Sequence, residues 1–330
     1  MAGPDFPSPE QVDSLPDFGQ LPPASRHSYL LRVTPMADGS SLCLPVNVLV
    51  GKEAGPHLLM VAGVHGNEYE GITAQYELWE ELSPEEVSGA VVMVPVANPP
   101  AFRVGQRRNP EDMLDMNRVF PGKPDGTVTE QLAYRLYHDV AAKVDMVLSM
   151  HGWTHGSLVV PYTEYPRDLP VTEASRAAAV AFGLEYIEAF DWHPGLLVAA
   201  CANAGIPAIE PEIGGLSCTV PERRVRYKQG ALNLMCHLGM LPGDPDPPGE
   251  VREVTRTMHF APVGGVLRRH KELGDAVQPG DTIATICDLN GAPLESVQAP
   301  GEGFVAAQLL AATVNPGDLV AVIFIPQEGS

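Results

Sequence analysis

The stretch HLLMVAGVHGNEYEGITAQYELWEEL (57–82) decides the fold. Its first eight residues (57–64) form an unbroken apolar run, the pattern of a strand buried on both faces. From Glu68 to Leu82 the apolar residues recur at helical spacing. A buried strand leading into an amphipathic helix is the opening half of a parallel βαβ unit. The same alternation continues outward. AVVMVPVA (90–97) and DMVLSM (145–150) predict two more buried strands, and SLCLPVNVLVG (41–51) one with apolar residues nearly alternating. TEQLAYRLYHDVAAKV (129–144), with Thr129 as the expected N-cap, TEASRAAAVAFGL (172–184) and QGALNLMCHLGM (229–240) predict helices, and AGIPAIEPEI (204–213) a strand. The expected fold class is α/β, a mostly parallel or mixed sheet flanked by helices.

The composition changes at LPGDPDPPGE (241–250), a Pro- and Gly-rich linker. Beyond it, short β-like runs repeat. Ala261-Pro262 with Gly264 and Gly265 recurs as Ala299-Pro300 with Gly301 and Gly303, and VQPGDTI (277–283) recurs as VNPGDLV (314–320). Two copies of one hairpin unit predict a small pseudo-symmetric β-sandwich. Three segments are expected: an extended lead-in over 1–26, a catalytic domain over 27–243 and a small all-β domain over 250–330.

The chain has 330 residues, with Lys+Arg 21 against Asp+Glu 41 and a net charge of −20. Nucleic acid and anionic membrane call for the opposite sign, so neither is an expected partner. No basic n-region with an apolar core opens the sequence and no apolar run reaches spanning length. Five cysteines without a CxxC fit a reduced, cytoplasmic protein.

The chemistry sits at the ends of the buried strands, where open α/β sheets bind ligands. The strand at 57–64 runs into His65-Gly66-Asn67-Glu68, and the strand at 145–150 into His151. Imidazole and carboxylate suit Zn²⁺, and three protein ligands leave the open position of a catalytic site. A lone His-x-x-Glu is more often structural; the strand-end context of both histidines shifts the balance to metal. His155 offers a weaker pairing with His151. His27, His57, His138, His193, His237, His259 and His270 lack such a context and are read as surface or core residues. Arg103, Arg107, Arg108 and Arg118 form a basic island in an acidic chain. Arg118, beside Asn117, is expected to clamp a carboxylate, whereas Arg103 and Arg108 read as solvated. Glu210 and Glu212, two apart at the end of the strand at 204–213, both offer a general base, and spacing does not choose between them.

HGNEYEG (65–71), RRNPEDMLDMNRVFPG (107–122), LSMHG (148–152) and EIGG (212–215) together resemble the succinylglutamate desuccinylase/aspartoacylase family, a branch of the zinc carboxypeptidase-like enzymes. The resemblance covers roughly residues 50–240, and HGNEYEG with PGKPDGTVTEQLA (121–133) leans toward the ectoine-degradation deacetylases of N-acetyl-2,4-diaminobutyrate. It implies one zinc per chain on His65, Glu68 and His151, with Glu212 as general base and Arg107 polarising the scissile carbonyl. Asn117 and Arg118 would hold the carboxylate of a small-molecule substrate, in a possible homo-oligomer. Glu210 and the doubled Arg107-Arg108 depart from the pattern. The implied activity is deacylation of an N-acyl amino acid. The alternatives are a metallocarboxypeptidase acting on short peptides and a metal-free binding or carrier protein. A lipoyl-type carrier needs a lysine at a hairpin tip, and Lys271, the one lysine after residue 250, lies inside the first repeat.

Overall fold

A computed structural model describes residues 7–153, 156–191, 193–247 and 249–327. In chain order the strands and helices begin with β1 (Glu10–Val12), β2 (Ser25–Pro35), β3 (Ser41–Val50), β4 (Glu53–Val61), α1 (Glu70–Glu81), β5 (Ser88–Val94), α2 (Pro99–Val104), α3 (Val128–Asp139) and β6 (Met146–Ser149). They continue with β7 (Ser157–Pro166), α4 (Thr172–Phe182), β8 (Tyr186–Phe190), α5 (Leu197–Asn203), β9 (Ala208–Gly215), α6 (Pro221–His237) and β10 (Arg252–Phe260). The C-terminal strands are β11 (Gly265–Arg269), β12 (Ala276–Val277), β13 (Thr282–Cys287), β14 (Pro293–Gln298), β15 (Gly303–Leu309), β16 (Thr313–Val314) and β17 (Leu319–Pro326).

The centre of the molecule is the parallel set β5-β4-β6-β9, extended by antiparallel neighbours β3 and β7 into a mixed sheet. The apolar runs are unbroken because helices cover both faces. On β4, Leu59 and Val61 pack with Leu132 and Leu136 of α3 and Leu197 of α5. Leu58 and Met60 pack on the other side with Leu78 of α1, Phe182 of α4 and Leu234 of α6. Successive residues of one strand thus feed two cores, as the period of two requires.

Several local features differ from the sequence expectations. The cap of α3 is Thr127, not Thr129. Thr127 forms a reciprocal capping box with Glu130, while Thr129 is spent on the Asp112 carboxylate, at 2.7 Å from its hydroxyl and 2.8 Å from its N–H. The N-terminal segment already contains β1, paired in parallel with β2, and β2 begins at Ser25. The helix expected at 229–240 starts eight residues earlier, at Pro221, because Pro at the first helical turn leaves no hydrogen bond unmade.

The repeat unit folds as two interlocked copies. β11 pairs with β13 and with β16, and β15 pairs with β17 and with β12, so each copy lends its short strand to the other. Leu267, Ile283, Ile286, Val305 and Ile323 fill the space between the two sheets. One of these sheets runs on into the rest of the molecule: β10 pairs with β8, and β15 pairs with β7. The pairings β7-β8-β10-β17-β15 return to β7, a closed ring of five strands. Its apolar filling includes Tyr162, Val254, Val322 and Phe324. Among the described residues no helix is long and apolar enough to cross a membrane.

Candidate metal centre

β4 and β6 are neighbours, with Val61 opposite Ser149, so the residues that follow them emerge side by side. His65 and His151 are therefore adjacent, and Glu68 reaches back between them just before α1. The tight approach at Gly66 explains the glycine. A Cβ there would lie 2.0 Å from the carbonyl carbon of Ala101, so the turn is seated directly on α2. Gly214 and Gly215 have φ of 102° and 142°, which favours glycine at the end of β9.

Three ligating atoms converge. His65 Nδ1 is 2.7 Å from Glu68 Oε1, His151 Nδ1 is 3.0 Å from Glu68 Oε2, and the two Nδ1 atoms are 3.2 Å apart. All three side chains are buried. The other nitrogen of each ring has its own partner. His65 Nε2 lies 3.1 Å from Asp115 Oδ1, and His151 Nε2 lies 3.0 Å from Ser149 Oγ. Such partners fix the ring orientation and leave both Nδ1 atoms facing one point, the arrangement of histidines that hold a metal. The electrostatics agree. Burial raises the Glu68 carboxyl, but His65 and His151 outweigh it and hold the group well below the usual carboxylate range. Burial lowers His151, but Glu210 and Glu68 push it up to about 10, so a cation entering the site displaces a proton.

A cleft of about 960 Å³ opens over this centre. Arg107, Asn117, Arg118, Glu210 and Glu212 all line it. Asn117 Oδ1 accepts from the N–H of Leu197 at 3.0 Å, which turns its amide NH₂ toward His151 Nε2, 3.5 Å away. Arg107 donates through Nε to Asp115 Oδ2 at 2.9 Å, with Nη1 3.6 Å from Glu68 Oε1. Arg118 Nη1 donates to the Asn117 carbonyl at 2.7 Å. Of the paired Arg107-Arg108, Arg107 is the one that lines the cleft. One oxygen each of Glu210 and Glu212 has no hydrogen-bond partner. Burial raises both carboxyls, Glu212 well above the usual range. His193, read from sequence as a bystander, also lines the cleft; His155 lies outside the described residues.

Sequence reasoning missed the supports. Ser149 carried a signal, since it lies two before His151 on a strand and so faces the same way. Asp115 carried none beyond its closeness to Asn117. A buried ionic cluster in the cleft wall was also missed. Arg256 of β10 contacts Glu164 of β7 at 2.6 Å and Glu188 of β8 at 2.9 Å, with the Phe190 ring 3.8 Å from its guanidinium. Tyr162 Oη donates to Glu164 at 2.8 Å. Burial pushes the Glu188 carboxyl up to about 7 against the pull of Arg256. These residues lie far apart in sequence and meet only because the five-stranded ring closes. Lys271 is held by Asp281 at 2.9 Å.

Residues 54–238 match the family model of the succinylglutamate desuccinylase/aspartoacylase catalytic domain. The N-alpha-acetyl-L-2,4-diaminobutyric acid deacetylase of Halomonas elongata is 34% identical over 295 residues, 86% of each chain. A succinylglutamate desuccinylase of Pseudomonas aeruginosa is 29% identical over 150 residues, 39% of this chain and 43% of that one. Among solved structures, the product-bound ectoine utilization protein EutE (DoeB) of Ruegeria pomeroyi superposes with a TM-score of 0.86 at 29% identity, covering 93% of this chain and 98% of that one. A succinylglutamate desuccinylase/aspartoacylase of Rhodobacter sphaeroides gives 0.85 at 29% identity, covering 92% and 96%.

Proposed function

The chain belongs to the succinylglutamate desuccinylase/aspartoacylase family, and from that premise we propose that it hydrolyses the amide bond of an N-acyl amino acid at a zinc centre on His65, Glu68 and His151. The observation that carries this reading is the convergence of two imidazole nitrogens and one carboxylate in the floor of a cleft lined by both a candidate base and a candidate carboxylate clamp. Two nitrogens and one oxygen, each ring backed by its own hydrogen-bond partner, suit zinc as a donor set. Zinc held there supplies a Lewis acid for the amide carbonyl and lowers the pKa of water to about 7. The two strand-end histidines on adjacent parallel strands also support a zinc carboxypeptidase-like reading of the fold. We divide the chain into a catalytic unit over 27–243 and a β unit over 250–330, the latter closing the cleft wall.

The roles follow from position. Asn117 and Arg118 hold the substrate carboxylate, which places the amide over the centre. Arg107, anchored by Asp115, faces the carbonyl oxygen as charge develops on it. Glu212 takes a proton from the attacking water as its oxygen bonds to the acyl carbon. It returns the proton to the amine nitrogen as the C–N bond breaks, releasing a carboxylic acid and the free amino acid. A raised carboxyl pKa suits a group that must first accept and then give a proton.

A hydrolysis screen tests this. N-acetyl, N-succinyl and N-formyl amino acids and short peptides are assayed with zinc, after chelation, and after zinc is restored. The name of the Halomonas relative makes Nα-acetyl-2,4-diaminobutyrate the first substrate to try. Turnover of acyl amino acids that chelation abolishes and zinc restores is the expected result. Turnover of peptides alone would move the reading to a carboxypeptidase, and turnover indifferent to chelation would remove the metal.

A further inference from the structure

His193 lines the cleft, yet the chemistry proposed above leaves it without a task. Its ring is fixed in orientation, because Nδ1 accepts the N–H of Gly195 at 3.0 Å. A neutral imidazole that accepts at one nitrogen carries its proton on the other. Nε2–H is therefore a donor, and among the described residues it has no hydrogen-bond partner. The segment that carries the ring is bound to the residues proposed to hold the substrate carboxylate. Gly195 is seated on Arg118: a Cβ there would lie 2.1 Å from the Arg118 carbonyl oxygen, which leaves room for glycine alone. The Gly195 carbonyl accepts the N–H of Phe120 at 3.0 Å, and the N–H of Leu197 donates to Asn117 Oδ1 at 3.0 Å. Between these points the chain turns, with the N–H of Leu196 on the His193 carbonyl at 3.0 Å.

Two residues of chain span at most about 7 Å, and the His193 ring folds back onto Gly195. His193 therefore stands beside Arg118, at the same end of the cleft, and both residues are exposed. The donors already there are few. Arg118 spends Nη1 on the Asn117 carbonyl, and Asn117 spends Oδ1 on Leu197, which leaves its amide NH₂. A carboxylate has two oxygens and about four acceptor sites, so a third donor has an acceptor to meet. We propose that His193 is a substrate-binding residue whose Nε2–H donates to the carboxylate of the amino-acid half, alongside Asn117 and Arg118. This rests on the deacylase reading. The carboxylate keeps its charge while the amide is cut, so the contact is made alike before and during the reaction and shows in KM rather than in kcat. Nothing in the spacing around His193 marks this task, because it comes from the docking of 193–197 on 117–120.

The variant that tests this is His193→Asn. Asn places Oδ1 where Nδ1 stood and keeps the bond to the Gly195 N–H as an Asx-turn, but it does not reach the place of Nε2. With Nα-acetyl-2,4-diaminobutyrate, KM is expected to rise by about 10-fold or more, the scale of a hydrogen bond to a charged group, with kcat and melting temperature retained. Calorimetry reads the contact without turnover. The affinity for 2,4-diaminobutyrate is expected to fall by the same factor in the variant, while that for 1,3-diaminopropane, the same molecule without its carboxylate, stays as in wild type. Equal losses on the two ligands would make the ring a packing element of the loop and overturn the proposal. So would a kcat loss at unchanged KM, which would place His193 at the reacting atoms. A wild type that hydrolyses no N-acyl amino acid would bring down the deacylase reading, and this role with it; hydrolysis by His193→Asn with wild-type KM brings down the role alone.

Discussion

Glu210 and Glu212 are two residues apart on β9 and both line the cleft, yet their surroundings differ. Glu210 is the more enclosed of the two, beside His151, whereas Glu212 is only partly covered. Glu212 also leads directly into Ile213 and the two glycines whose φ values turn the chain. Access for water and substrate favours Glu212 as the base. Glu212→Gln keeps the shape and removes the proton acceptor. It is expected to lower kcat by about 10²–10⁴-fold while the zinc content measured by metal analysis stays at the wild-type level. A variant that keeps full turnover would place the base elsewhere. Both acids were legible in the sequence as a pair at a strand end. Their difference was not, because it depends on what packs against each of them.

At the scale of elements, the side chain with most at stake is Arg256 on β10. It is 7% exposed and faces two carboxylates that are as well buried as itself. Removing it strands Glu164 and Glu188 in the closed ring, away from water. Arg256→Ala is expected to destabilise the protein by about 3–5 kcal/mol, the usual result of breaking a buried ion pair from one side. Urea unfolding would measure this. Replacing all three groups by Arg256→Met, Glu164→Gln and Glu188→Gln should cost clearly less, since no charge is then left unpaired. An equal loss in both variants would mean that Arg256 contributes packing against Phe190 and not charge pairing. Pattern reading found β10 only as part of a β-rich tail. Nothing in its spacing marked Arg256 as facing a catalytic cleft, because its partners sit on two strands some seventy to ninety residues earlier in the chain.

At the scale of the whole molecule, the C-terminal strands complete a structure that the preceding chain cannot close alone. β10, β15 and β17 supply three of the five strands of the ring, and Val254, Val322 and Phe324 pack against Tyr162 and Val159. Met258, Thr313, Asn315 and Asp318 form the far wall of the cleft. A chain truncated after residue 249 would expose that apolar surface and the free edges of β7 and β8. It is expected to aggregate or to lack a cooperative thermal transition. A fragment that melts cooperatively at the temperature of the full chain would show the ring to be dispensable.

What the sequence by itself determined is whatever depends on neighbours a few residues apart. The strands near 41–51, 57–64, 90–97, 145–150 and 204–213, the helices near 68–82, 129–144, 172–184 and 229–240, the His-x-x-Glu turn and the internal repeat follow from local periodicity and spacing, whereas β2, β7, β8 and α5 did not emerge from it. So does the placing of His65 and His151 just beyond two buried strands, although β4 stops at Val61, three residues before its apolar run ends. The tertiary structure decided everything that depends on which strands lie side by side. It set β4 next to β6, so that two histidines 86 residues apart bring their Nδ1 atoms to 3.2 Å. It aligned Glu210 with Glu164 across β9 and β7, and carried Arg256 into the cleft wall. Strand order and register arise from long-range packing of whole faces, and a side chain's burial, charge partners and proton affinity are properties of that packing rather than of its own sequence position.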